Sequence, residues 1–301
     1  MEKIKLGVIG MSEGNGHPYS WSAIFNGFDN KYMKDCPFPV IPNYLSTQEF
    51  PKDFLTQDAQ VTHIYTQDKK NSHHIAKASK IPNIIDSPQE MIGKIDALLL
   101  ARDDAENHFQ FAQPFLEVGI PIFIDKPLAH SLKAANNLFE LQEYESQIYT
   151  CSALRYAKEF VLSEEQKKYL GDIVSIQAYT PKSWEKYAIH VIEPVLRLLN
   201  FPSLSNFRNN KVKNYHRLSF VADNKTLVTI NSLDKAKFPL CIEIIGTENS
   251  EKLIFADSFY AFRASLKEFI EQIRSKENHI PRTQTLQVIQ VIEEGLKNYE
   301  K

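Results

Sequence analysis

Cysteine is scarce in this 301-residue chain, and the three present, Cys36, Cys151 and Cys241, are odd in number, far apart and without a Cys-x-x-Cys spacing. That pattern speaks against a disulfide framework and against a zinc knuckle, and leaves reduced thiols in a cytoplasmic protein as the expectation. Long apolar runs are missing as well. No stretch approaches the roughly 18 residues needed to span a bilayer, and the run at 6–9 is too short for the core of a signal peptide. No membrane partner is expected. Nor does one sign of charge dominate: 35 Lys and Arg stand against 37 Asp and Glu, which gives no reason to expect a polyanionic partner such as nucleic acid. There is no His-x-x-x-His carrying a glutamate and no carboxylate cluster at ligand spacing, so no metal site is expected. Internal repeats, heptads and low-complexity segments are also lacking.

What is present is alternation. The run at 5–10, Lys-Leu-Gly-Val-Ile-Gly, reads as a strand entering a glycine-rich turn, after which Pro18 starts a helix. Strand-like runs recur at 61–65, 95–101, 120–124 and 147–152, with helices expected at 107–117 and from Ser131, where Leu132, Ala135, Leu138 and Phe139 recur at spacings of three and four. Strands alternating with helices imply right-handed crossovers and a doubly wound parallel sheet. The length suits about two domains, with the first ending near 153 and the second running over 154–301. Residues 28–60, with Pro37, Pro39, Pro42 and Pro51, form an insertion where a simple Rossmann unit would pass quickly to its second strand. It is expected to be largely irregular and to reach over the cleft, or else to be a plain surface excursion. Beyond 154 the texture changes. Runs at 173–180, 217–222, 226–232 and 239–245 suggest an α+β domain with a mainly antiparallel sheet, followed by helices at 265–275 and 284–298.

Two features carry chemistry. The turn Gly10-Met-Ser-Glu-Gly-Asn-Gly16 follows the first strand, where glycines let backbone amides approach a phosphate at a helix start. Its spacing is Gly-x-x-x-Gly-x-Gly. Ser12 and Asn15 can donate hydrogen bonds beside Gly10, Gly14 and Gly16, whereas an inward Glu13 would repel phosphate. The alternative is a turn serving chain reversal alone. The second feature is the run at 122–127, Ile-Phe-Ile-Asp-Lys-Pro, whose apolar part ends abruptly in Asp125 and Lys126. In open α/β sheets ligands sit outside the carboxyl ends of the strands, so Lys126 is delivered to a cleft.

The segments 95–101 (Ile-Asp-Ala-Leu-Leu-Leu-Ala), Asn107-His108 and 119–129 (Gly-Ile-Pro-Ile-Phe-Ile-Asp-Lys-Pro-Leu-Ala) resemble the Gfo/Idh/MocA oxidoreductases, whose signature at this strand end is Glu-Lys-Pro; Asp125 replaces the glutamate. Residues 152–156 (Ser-Ala-Leu-Arg-Tyr) resemble the segment where that family leaves its nucleotide domain. Residues 186–193 (Lys-Tyr-Ala-Ile-His-Val-Ile-Glu) resemble its Asp-x-Gly-x-His-x-x-Asp stretch. The resemblance spans nearly the whole chain. It implies a Rossmann domain binding NAD or NADP and a second domain whose sheet forms the substrate-side wall and a homo-oligomer surface. It also implies a last helix that packs back on the first domain. At the end of the second strand it would place an acid on the adenosine ribose, but Thr66 stands there and Asp68 two residues on, so NAD and NADP are not distinguished. Lys69 and Lys70 could contact a 2′-phosphate, although two adjacent lysines are more often a solvated helix start.

The resemblance further implies that Lys126 touches nicotinamide ribose and substrate, and that His190 handles the hydroxyl proton together with an aspartate four residues earlier. Here that position is Lys186, one helical turn away if the helix begins so early. The reversed charge disfavours the imidazolium and leaves a neutral imidazole competent as a base. Lys186 also suits an anionic substituent such as a uronate carboxylate or a nucleotide-sugar phosphate; alternatively the substitution disables the chemistry. Arg155, Trp184 and Tyr187 are further substrate-binding candidates, the two aromatics as platforms for a sugar face or as core. The expected function is an NAD(P)-dependent oxidoreductase acting on a sugar, nucleotide sugar or related polyol. The other possibility is a nucleotide-binding regulator or complex partner without turnover.

Overall fold

A computed structural model describes residues 2–297. The chain forms two compact units, one comprising Met1–Ala129, Asn136–Thr150 and Phe262–Ile280, the other His130–Ala135, Cys151–Ala261 and Pro281–Lys301.

The first unit is built on six parallel strands, β1 (Ile4–Ile9), β2 (Ala59–Tyr65), β3 (Asn83–Ile84), β4 (Ala97–Leu100), β5 (Ile122–Ile124) and β6 (Ile148–Tyr149), in the order β3-β2-β1-β4-β5-β6. The doubly wound sheet expected from the alternation is therefore present. Every residue of β4 is fully buried, as a strand covered on both faces must be, which is why it reads as an unbroken apolar run. Helix α1 (His17–Asn26) carries Pro18 as its second residue, where a missing N–H costs nothing in a first turn.

The insertion departs from expectation: it holds two short helices, α2 (Asn30–Met33) and α3 (Val40–Ser46). Its prolines do not prevent them, because Pro39 is the N-cap of α3 and Pro42 lies in its first turn, where no backbone donor is needed. Helices α4 (Lys69–Ala78) and α5 (His108–Leu116) complete the early crossovers. At the centre of this unit Phe123 on β5 stacks on Trp21 at 4.6 Å between centroids and meets Tyr149 edge-on at 4.8 Å.

The second unit contains α6 (Leu132–Phe139) in part and α7 (Glu164–Leu170), which starts with a reciprocal capping box between Ser163 and Gln166. Its sheet comprises β7 (Ile173–Thr180), β8 (Leu204–Val212), β9 (Tyr215–Ala222), β10 (Thr226–Ser232), β11 (Cys241–Gly246) and β12 (Ser250–Ile254), ordered β12-β11-β7-β10-β9-β8. All neighbours run antiparallel except β7 and β10. Helices α8 (Trp184–Tyr187) and α9 (Ile189–Leu198) lie between β7 and β8, and the chain closes with α10 (Ser258–Ser275) and α11 (Arg282–Leu296). The helix grouped with the first unit is α10; α11 belongs to the second. Among the described residues no helix is long and apolar enough to cross a membrane.

Candidate active site

Chain order takes β1 to β2 on one side of the first sheet and β4 to β5 on the other, so the crevice of a doubly wound fold lies above the carboxyl ends of β1 and β4. The turn at 10–16 follows β1 and is bonded across to the ends of β4 and β5. The Ser12 hydroxyl donates to Oδ1 of Asp103 at 2.5 Å and accepts the Asp103 amide at 3.0 Å. Asn15 donates through Nδ2 to Oδ2 of Asp125 at 2.8 Å, and Nδ1 of His17 is 2.6 Å from that same oxygen. Oδ1 of Asp125 accepts the Lys126 backbone N–H at 2.8 Å. Burial alone would raise the Asp125 carboxyl, but the charges of His17 and Lys126 and the hydrogen bonds from His17 and Asn15 outweigh it and hold the group far below the usual carboxylate range.

Lys126 follows β5 directly, as its place after the apolar run implies, and is only 4% exposed. Its Nζ stands 3.6 Å from Asp103 and 3.8 Å from Asp125, near enough for attraction yet outside hydrogen-bond range of either. A buried ammonium with three donors not taken up by its two carboxylates is a poised electrophilic group.

The glycines divide by cause. A Cβ at Gly10 would lie 2.3 Å from Pro18, and one at Gly16 would lie 2.6 Å from Ile41 and 2.7 Å from Phe38, so these two serve packing, the latter against the insertion. Gly14 differs: its φ of +78° demands glycine, and nothing lies within 4 Å of where a side chain would stand. The amides of Met11, Asn15 and His17 are already bonded, to Gln67 Oε1, Ser12 O and Asn15 Oδ1. The open backbone at Gly14, together with Lys126, is the part of this rim that fits a dinucleotide.

Thr66 does not serve as a ribose contact. Its hydroxyl donates to Asp68 O at 2.6 Å and lies 2.8 Å from the Ser72 hydroxyl, which also accepts the Thr66 amide, because this strand end is built as a turn into α4. Asp68 caps that helix through Lys70 N, and Lys69 is paired with Asp86 at 2.6 Å.

In the second unit His190 is the second residue of α9, its Nδ1 2.8 Å from the Ser152 hydroxyl. Tyr187 meets it edge-on at 5.1 Å, and Lys182 lies over the Tyr187 ring at 4.1 Å and donates to its hydroxyl. Lys186 is on α8, and the single long helix that would carry it and His190 is interrupted at Ala188. Two sequence-based candidates fall away as substrate groups. Arg155 is buried, bonded to Glu193 at 3.1 Å and to Gln284 at 2.5 Å, and stacked over Phe201. Trp184 is 2% exposed, donates to Ile292 O and stacks on His216 at 4.4 Å; a Cβ at Gly295 would strike its indole, so the ring is core and not a sugar platform.

Asp103 and His17 were not legible as site residues, since their bonds join positions 91 and 108 residues apart in the chain. The only available signal was a histidine directly after the last glycine of the turn. Among the described residues no group of three or more His, Cys, Asp or Glu could hold a metal ion.

A parallel sheet of this order, with a glycine turn at its switch point and a lysine at the end of β5, defines a dinucleotide-type Rossmann protein. Residues 42–152 match the family model of the Gfo/Idh/MocA oxidoreductases, described as "Oxidoreductase family, NAD-binding Rossmann fold". Solved structures share the fold along nearly the full length. A scyllo-inositol dehydrogenase from Lactobacillus casei is 15% identical, with a TM-score of 0.70, over 97% of this chain and 94% of that one. A myo-inositol dehydrogenase from the same organism, solved in complex with NAD(H) and myo-inositol, is 13% identical, with a TM-score of 0.73, over 97% and 93%. A UDP-N-acetylglucosamine 3-dehydrogenase from Acidithiobacillus ferrooxidans is 12% identical, with a TM-score of 0.70, over 98% and 97%. No curated protein matches by sequence.

Proposed function

We propose that this protein is an NAD(P)-dependent oxidoreductase that moves a hydride between the nicotinamide and a secondary alcohol of a sugar, nucleotide sugar or related polyol. The observation that carries the reading is the Lys126 ammonium, buried at the end of β5 and hydrogen-bonded to neither neighbouring carboxylate. The dinucleotide, held at Gly14 and Lys126, supplies a hydride acceptor when bound. Lys126 donates to the alcohol oxygen and stabilises the charge that develops there as the C–H bond breaks. His190 takes the hydroxyl proton, its ring oriented by Ser152 through Nδ1. Lys186 and Tyr187 are assigned to substrate, with Lys186 favouring one that bears a carboxylate or phosphate. The substrate class is supported by the inositol and nucleotide-sugar dehydrogenases that share the fold. Homo-oligomerisation is assigned to the second sheet, where Val174, Leu227 and Ile245 are each about half exposed; sedimentation of the wild type against charged variants at these positions tests it.

One observation favours a second reading, a nucleotide-binding protein without turnover. Lys186 stands where the resembled family has the aspartate that acts with the histidine, and it lies on α8, which ends before the α9 that carries His190. Titration with NADH and NADPH by fluorescence, followed by a screen of inositols, sugars and nucleotide sugars, separates the two. Binding without turnover across the panel favours the second, and no binding defeats both. In the first reading Lys126→Ala lowers kcat about 100-fold, the scale for losing one transition-state donor, measured below a melting temperature that itself falls because two buried carboxylates lose their cation; wild-type turnover in that variant refutes the role.

A further inference from the structure

An ammonium buried beside two carboxylates ordinarily closes on one of them at about 2.7–2.9 Å. Lys126 does not, and the hydrogen bonds of the glycine turn account for it. Each carboxylate has one oxygen held by that turn: Oδ1 of Asp103 by Ser12 at 2.5 Å, and Oδ2 of Asp125 by Asn15 at 2.8 Å and His17 at 2.6 Å. The remaining oxygen of Asp125 accepts the Lys126 amide, which fixes the carboxylate plane from the other side. His17 is itself fixed, stacked on Trp21 at 4.9 Å and edge-on to Phe262 at 5.1 Å. Its ring therefore cannot follow the carboxylate if the latter rotates.

We infer that His17 is a positioning residue for Lys126: by holding Oδ2 of Asp125 it keeps that carboxylate from swinging onto the ammonium, and so leaves the Nζ donors for a substrate oxygen. The inference rests on the assignment of Lys126 to substrate made above. Without the His17 donor, Asn15 alone holds Oδ2, and the favourable move for Asp125 is rotation about that remaining bond toward Nζ, which tightens a 3.8 Å ion pair into hydrogen-bond contact. An ammonium committed in that way stabilises a developing oxyanion poorly.

Two substitutions isolate the bond. His17→Phe keeps a ring on Trp21 and removes the donor; His17→Asn places an amide N–H where Nδ1 stood and removes the ring. His17→Phe is expected to lose about tenfold or more in kcat with the nucleotide KM changed less than about threefold, whereas His17→Asn stays within about threefold of wild type. In a Lys126→Ala background His17→Phe adds no further loss, because its effect passes through that amine. A readout independent of turnover is the acetylation rate of Lys126 in the ligand-free protein, measured by peptide mass spectrometry against exposed lysines. It slows about threefold or more in His17→Phe and not in His17→Asn, since an amine hydrogen-bonded to a carboxylate is less open to the reagent. Equal losses in both variants, wild-type labelling in His17→Phe, or a full additional loss in the Lys126→Ala background each overturn the inference. If the labelling pattern holds but the wild type oxidises nothing, the positioning role stands and the oxidoreductase reading falls.

Discussion

Asp125→Asn is the sharpest perturbation of this site, because it removes a buried charge with almost no change of shape. The amide oxygen can still accept the Lys126 N–H that Oδ1 accepts at 2.8 Å, but the other position now presents an NH₂ to Asn15 and His17. Two hydrogen bonds to a charged acceptor are lost or inverted, at about 1.5–3 kcal/mol each. Removing one member of a buried charge cluster independently suggests about 3–5 kcal/mol. A loss of about 4 kcal/mol at neutral pH follows, or roughly 8–16 °C for a cooperative unit of 150–250 residues. The pH dependence has a definite sign. The folded carboxyl is held far below its free range, by the charges of His17 and Lys126 against the opposing effect of burial. Its stabilisation is therefore complete above the unfolded value of about 3.9 and disappears as pH falls through the folded one. Urea unfolding of wild type and variant at pH 7 and pH 3 should show a gap that shrinks at the lower pH. A gap below about 1 kcal/mol at pH 7, or one equally wide at pH 3, refutes the reasoning.

Arg155→Met strands the Glu193 carboxylate in the second unit and should cost about 3–5 kcal/mol in chemical unfolding, with much of it recovered in Arg155→Met/Glu193→Gln; a fully additive double variant contradicts the pairing. Trp184→Ala should cost about 3–5 kcal/mol from the lost ring and its bond to Ile292 O, and a near-neutral melting shift would return the indole to the list of substrate groups. Gly16→Ala, which drives a Cβ into Phe38 and Ile41, should lower the melting temperature by the equivalent of about 1–3 kcal/mol. Relief of that loss by Phe38→Ala or Ile41→Ala identifies the contact.

The legible parts of the sequence were those governed by local rules. β4 and β5 stood out because strands buried on both faces are unbroken apolar runs, and Lys126 stood out because such a run stops at it. The strands that escaped notice, β3, β8 and β12, are all sheet edges. With one ladder partner and one side open to solvent, an edge tolerates a sequence such as Leu-Ser-Asn-Phe-Arg-Asn-Asn-Lys-Val in β8, which carries little alternation. The Gly14 position was readable from its turn. The roles of His17 and Asp103 were not, because they exist only once the turn, β4 and β5 have been brought together by the sheet. Arg155 and Trp184 misled in the opposite direction: a polar or aromatic side chain beside a family-like motif looks functional until its buried partners, Glu193 and Ile292, are seen.

The first unit draws on three separate stretches of chain, and Phe269 from the last of them lies 5.6 Å from Phe123 and 5.7 Å from Tyr149. A ribosome making this protein therefore releases all six parallel strands well before the residue that completes their aromatic cluster. The nascent Rossmann half must wait, incompletely covered, for more than a hundred further residues, a span of seconds at ordinary rates of synthesis. Trimming the chain after residue 150 would make that interval permanent and leave Phe123 and Tyr149 without the ring that covers them.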